Sequence, residues 1–142
     1  MGLSPYIVAV AVAWIVAQGT KFIIVMMKNR GKPNYRLLYT SGDMPSGHSA
    51  TVVALATVIG LNYGLNSAVF ALSLLFAAIV MYDAVMVRRS TGEQGEAIQA
   101  LIKEQGSKVR LPRSAKGHEP LEVAAGAVVG LVIGLVTFLF VN

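Results

Sequence analysis

The feature that most limits what this chain can become is the confinement of its charge. Every Lys and Arg, from Lys21 to Lys116, and every Asp and Glu lies in or next to two segments, residues 28–43 and 88–118. What remains is four apolar stretches, about 5–27, 45–63, 67–87 and 120–141. About 20 apolar residues suffice to cross a hydrocarbon core of roughly 30 Å, and in that core the backbone is satisfied only within helices or a closed barrel. The expected fold is therefore all-α: an integral membrane bundle of four transmembrane helices forming one domain over 1–142. Composition agrees, with 13% charged and 55% hydrophobic residues against about 25% charged in soluble domains.

Several classes fall away on the same grounds. The chain has no cysteine, so a disulfide framework, a thiolate metal site and a cysteine nucleophile are excluded. A net charge of +5 would point to nucleic acid in a soluble protein; here it reads as orientation in the bilayer and attraction for an anionic ligand, and no nucleic acid is expected. The N-terminus lacks the basic flank of a signal peptide and its apolar run is too long for one, so a retained span is expected.

Between the spans, Asn62, Gly64 and Asn66 make a tight turn, so spans two and three should form an antiparallel hairpin. In the 88–118 segment, Thr91 to Gln105 reads as a helix, with Thr91 and Gln94 at capping-box spacing and Gly106 as terminator. Ala97, Ile98, Leu101 and Ile102 share one face, which fits a helix on the membrane surface, over a site, or against the bundle. Trp14 sits too deep for an interfacial belt and is expected between helices. Gly126, Gly130 and Gly134 recur every four residues and invite close approach of another helix, either internal or from a second copy in a homo-oligomer.

The chemistry begins at residues 41–51, Ser-Gly-Asp-Met-Pro-Ser-Gly-His-Ser-Ala-Thr. Pro45 suits a first helical turn and Asp43 or Ser46 can cap it. The amides of Ser46, Gly47 and His48 then point out of a helix end, which attracts anions and phosphate in particular. Gly47 permits close approach to the backbone, and His48 can move a proton near neutral pH. An ordinary Pro-Ser-Gly helix start reads the same way, so the rest of the chain decides.

Four helix ends converge on this face: Lys21 and Lys28; Ser46 to His48; Asp83, Arg88 and Arg89; and His118 with Glu122. Both histidines of the chain are thus on one side. Lys21 and Asp83 each lie about six residues inside a span, roughly 9 Å deep, at a matched depth that fits an ion pair across helices one and three; Lys21 equally fits a phosphate contact. Arg88 and Arg89 fit membrane-surface anchors or an anion site. His118 and Glu122, four apart on one helix face, fit a carboxylate orienting an imidazole or a solvated pair.

With these residues in view the chain resembles the type 2 phosphatidic acid phosphatase superfamily, which includes vanadium haloperoxidases and carries K-x6-R-P, P-S-G-H and S-R-x5-H-x3-D. It is most similar to a divergent branch of small integral membrane proteins with M-P-S-x-H-S, D-A-x-x-V-R-R and G-H-x-P-x-E-V, here Met44 to Ser49, Asp83 to Arg89 and Gly117 to Val123. The resemblance implies Lys21, Ser46, Gly47 and Arg88 or Arg89 around a phosphate, with Asp83 and Lys28 in support. It departs from the pattern where Lys28-Asn29 replaces Arg-Pro, where Glu122 replaces aspartate, and where 28 residues separate Arg89 from His118. It further implies hydrolysis of a lipid phosphate or polyprenyl diphosphate without metal or other cofactor. His118 would be the nucleophile, Glu122 would fix its tautomer, and His48 would be the proton carrier. A non-catalytic membrane protein that binds or moves a phosphorylated lipid is the competing class.

The charge distribution places both charged connections, and with them the site, on the cytoplasmic face of what is expected to be a bacterial cell membrane. Single cysteines at Asn66 and Ser107 in this cysteine-free chain test that orientation. An impermeant thiol reagent applied to intact cells is expected to label position 66 and spare position 107; labelling of 107 from outside would reverse the topology.

Overall fold

The computed structural model describes residues 3–28, 44–112 and 117–141, together with the backbone but not the side chain of Lys28. Among the described residues every regular element is a helix: α1 (Pro5–Lys28), α2 (Gly47–Tyr63), α3 (Ala68–Tyr82), a π-helical turn (Asp83–Val87), α4 (Arg88–Glu104) and α5 (Pro120–Val141). Three helices are long and apolar enough to cross a membrane: Pro5–Met27, the continuous Ala68–Glu104, and Pro120–Val141. The expected second span is shorter. At 17 residues, α2 extends about 26 Å by helical rise and forms the centre of the bundle, packed on α1, α3 and α5.

Small side chains bring α2 into that position. Ala9, Ala13 and Ala17 recur every fourth residue on α1 and pack against Ala50, Ala54 and Val58, spaced likewise on α2. On the other side, Gly126, Gly130 and Gly134 of α5 lie against Ser46, Ala50, Ala54 and Thr57 of α2. The alternative left open for this glycine stripe is thereby resolved. Its partner is α2 of the same chain, so the stripe is not available as a homo-oligomer face. Van der Waals contact of this closeness is what drives association between helices in lipid, where apolar burial gains nothing. The outer faces are correspondingly apolar and exposed, with Ile15, Ile23, Leu72, Phe76, Ile79, Leu139 and Phe140 among them. Trp14, expected between helices, is 51% exposed.

The turn between α2 and α3 matches expectation. Gly64 has φ +80°, and Ser67 caps α3, its Oγ accepting the Phe70 amide. The 91–105 helix differs. It is no separate surface helix but the continuation of α3 through the π-turn, so a single helix of 37 residues runs about 55 Å and outreaches the hydrocarbon core. Thr91 therefore lies inside a helix, where its hydroxyl donates to the Val87 carbonyl, and Gln94 donates to Ser90 Oγ; neither forms a capping box. Ile98 and Leu101 on this segment are exposed. Gly106 does end the helix: with φ +61°, its amide bonds Lys103 and that of Ser107 bonds Ile102, a Schellman closure.

A leucine at position 130 would meet the Ala50 carbonyl and the Ala54 amide, whereas Val128 is outward-facing. In detergent, Gly130→Leu is expected to cost at least the roughly 1–3 kcal/mol typical of overpacking, read as a lowered thermal unfolding midpoint, while Val128→Leu leaves the midpoint within a degree or so.

Candidate active site

The α2 start is fixed by its neighbour. Ser46 is the N-cap and its Oγ accepts from the amide and the hydroxyl of Ser49. Its own amide donates to the Glu122 carbonyl of α5 at 3.0 Å. Ser46 and Ser49 are fully buried. Ser46 was expected to contact phosphate; its amide is engaged in fastening α2 to α5, and its hydroxyl oxygen in capping α2. Pro45, expected in the first helical turn, precedes the cap, and Gly47 takes that first position. The Gly47 and His48 amides, as the first two of α2, have no intrahelical acceptor, and they keep the anion-attracting character expected of the motif. A Cβ added at Gly47 would meet Gln18 of α1 at ordinary contact distance, so its lack of a side chain is not forced by crowding. Asp43, the alternative cap, lies outside the described residues.

The start of α5 carries the second histidine. Glu119 is its N-cap position, Pro120 its first residue, and Glu122 the third, so the Glu122 carboxylate reaches back to the Glu119 amide (3.1 Å) as in a capping box. The same oxygen, Oε2, stands 2.8 Å from His118 Nδ1. In the neutral ring, an Nδ1 proton donated to that oxygen leaves the lone pair on Nε2. His118 is 4% exposed, and its amide donates to the Ala84 carbonyl in the π-turn at 3.1 Å. Gly117 before it lies directly on the Arg89 backbone, where any Cβ would collide.

Cations complete the arrangement. Lys21 continues the buried face of α1 that Ala9, Ala13 and Ala17 begin, and is 4% exposed, so its ammonium is carried into the bundle with the stripe that packs on α2. Arg88 Nε lies 2.6 Å from Asp83 Oδ2. Asp83 is thus partnered along its own helix, one of the bridges that the expected pairing with Lys21 across helices did not include. His48, exposed at the α2 start, lies within electrostatic reach of Arg88, His118, Asp83 and Lys21. Charges from the π-turn, α4, α1 and the residue pair before α5 thus act on one imidazole.

The two arginines separate here. Arg88 belongs to the His48 group, whereas Arg89 Nε pairs with Glu93 at 3.1 Å on the exposed side of α4. Arg89 also lines a cavity of about 200 Å³ with Gly92, Glu93, Glu96, Gly117, His118 and Glu119. Three carboxylates against one guanidinium give that cavity the wrong sign for a phosphate, and Lys21 and Arg88 are not in its lining. The charges acting on His48 from Lys21 and Arg88 have the opposite sign to those carboxylates. Lys28 cannot be placed, since its side chain lies outside the described residues.

Comparison with known proteins bears on the same segments. The family model of the divergent PAP2 family matches residues 4–133. An uncharacterized membrane protein of Bacillus subtilis, YuiD, is 38% identical over an alignment covering 90% of each chain. No solved structure matches the chain.

Proposed function

The chain belongs to the divergent PAP2 family, and on that premise we propose that it hydrolyses a lipid phosphate or polyprenyl diphosphate through a phosphohistidine, without a metal ion. The observation that carries the reading is the grouping of a carboxylate-held imidazole, His118–Glu122, with a second histidine at the α2 start, Lys21 on the buried face of α1 and Arg88 beside the π-turn. Phosphoryl transfer asks for positive charge around the equatorial oxygens and an in-line nucleophile, and little else. Lys21 and Arg88 supply the charge, with the Gly47 and His48 amides at the α2 start.

In the first step His118 Nε2 attacks phosphorus as the bond to the leaving oxygen breaks, and protonated His48 gives its proton to that oxygen. Glu122 holds the Nδ1 proton throughout and stabilises the positive charge that develops on the ring. In the second step neutral His48 takes a proton from water, the resulting hydroxide oxygen bonds phosphorus, and the P–N bond breaks. Inorganic phosphate leaves, and His118 and His48 return to their starting states.

The substrate class follows from position. Helix ends beside an apolar exterior favour a phosphate carried on a lipid, with membrane lipids as the surrounding partners. Charge asymmetry along the chain supports a site on the cytoplasmic face, and the bacterial relative supports a bacterial cell membrane.

Purified protein in detergent with a chelator is expected to release phosphate from a panel of lipid phosphates and diphosphates. His118→Ala and His48→Ala are each expected to lower that rate by about a hundredfold or more. Undiminished turnover in both variants would refute the assigned roles. Saturable binding of the lipid phosphate, weakened by Lys21→Ala and without any release by the wild type, would identify a non-catalytic binding protein instead.

A further inference from the structure

Asp83–Val87 is the only irregular turn described within the long α3–α4 helix, and it lies where that helix meets the site. In a regular α-helix the Arg88 amide would donate to the Ala84 carbonyl four residues back. Here it donates to Asp83, five back. The Ala84 carbonyl loses its regular donor, and the His118 amide supplies one at 3.1 Å. Ala84 is 1% exposed, a place where an unpaired carbonyl is costly, so the helix irregularity and the backbone of His118 satisfy each other. Gly117 makes the approach possible, since a Cβ there would strike the Arg89 backbone.

The same turn acts on a side chain. Five residues apart on an α-helix means about 140° apart around the axis, too far for a short ion pair. Widening the turn brings Asp83 Oδ2 to 2.6 Å from Arg88 Nε. That bond uses one of the five guanidinium donors and leaves the terminal nitrogens for an anion. Of the two arginines, Arg88 is the one whose charge acts on His48.

We propose that the π-turn is the positioning element of the site: through the Ala84 carbonyl it sets the backbone of His118, and through Asp83 it sets the guanidinium of Arg88. The spacing between phosphate acceptor and phosphate-binding cation is then fixed by one irregularity in one helix. Asp83 and Gly117 are positioning residues, each acting through a neighbour. The inference rests on His118 as the phosphate acceptor. π-Turns cost regular hydrogen bonding and concentrate at functional positions for this reason.

The test combines a double-mutant cycle with a direct view of the ring. Asp83→Ala is expected to lower kcat for lipid phosphate hydrolysis by about tenfold or more, and Asp83→Asn by less, because its amide oxygen still accepts from Arg88 Nε. In an Arg88→Ala background, Asp83→Ala is expected to change kcat by less than about twofold, since its effect passes through Arg88. The chain has two histidines, so [15N]histidine labelling gives two imidazole spin systems. Gly117→Ala is expected to leave the His48 signals in place, release His118 from its Nδ1–H tautomer, and lower kcat more than it alters KM. A full Asp83→Ala effect in the Arg88→Ala background would overturn the proposal. So would a Gly117→Ala protein whose His118 signals and kcat are both unchanged. Should Gly117→Ala disturb the His48 signals as well, as a misfolded protein would, the Asp83–Arg88 cycle decides. If the wild type shows no turnover and Gly117→Ala still shifts the His118 signals alone, the positioning role stands and the hydrolase reading falls.

Discussion

The close approach of α2 to its two neighbours is the constraint on which the rest depends. In lipid, helices gain little from burying apolar area against one another, and contact between small residues takes over. The alanine stripe of α1 and the glycine stripe of α5 hold α2 from opposite sides. Once α2 is fixed at that distance, the Ser46 amide reaches the Glu122 carbonyl, and Lys21, next along the alanine stripe, is brought toward the α2 start. The geometry of the site is a consequence of packing lower in the bundle. A side chain added at Gly126, which lies on the Ser46 carbonyl, would separate two walls of the site without touching a chemical group in it.

Placing the chemistry at helix ends follows from the solvent. Irregular backbone and ionisable groups are expensive within hydrocarbon and tolerable at its edge or inside the protein. The chain accordingly assembles its polar groups from two helix starts, one irregular turn and the buried face of α1, and makes a single atom serve twice. Glu122 Oε2 both closes the α5 cap through the Glu119 amide and faces His118 Nδ1. Helix start and His118–Glu122 pair are therefore one construction: loss of the carboxylate would loosen the helix and free the imidazole together.

Much of this was legible in the sequence. Hydropathy marked the apolar segments, Gly64 the hairpin turn, Gly106 the end of the long helix, and the spacing of His118 and Glu122 their contact. Other features were not, for physical reasons. The glycine stripe announces close approach, but a repeat carries no information about which helix approaches. Thr91 and Gln94 fit a capping box, yet a helix already running through them leaves no end to cap. The π-turn is silent in sequence because Asp-Ala-Val-Met-Val contains neither Pro nor Gly, and its cost is met by a residue 34 positions away, His118 against Ala84. Without that turn, Arg88 and Arg89 cannot be told apart, since the bridge from Arg88 to Asp83, five residues back, depends on it. The role of the Ser46 amide was not legible because its partner, the Glu122 carbonyl, comes from the far end of the chain.

The central claim is that His118 accepts the phosphoryl group in a seat made by Lys21, Arg88 and His48. The most direct measurement mixes the protein with a lipid phosphate labelled at phosphorus, quenches within a turnover in alkali, and maps the label on the chain. The account predicts label on His118, stable in base and lost in acid as a phosphoramidate should be, and absent from His118→Ala. Phosphate release by the wild type with no label on the protein at any time within the turnover, or label that persists in His118→Ala, would contradict it.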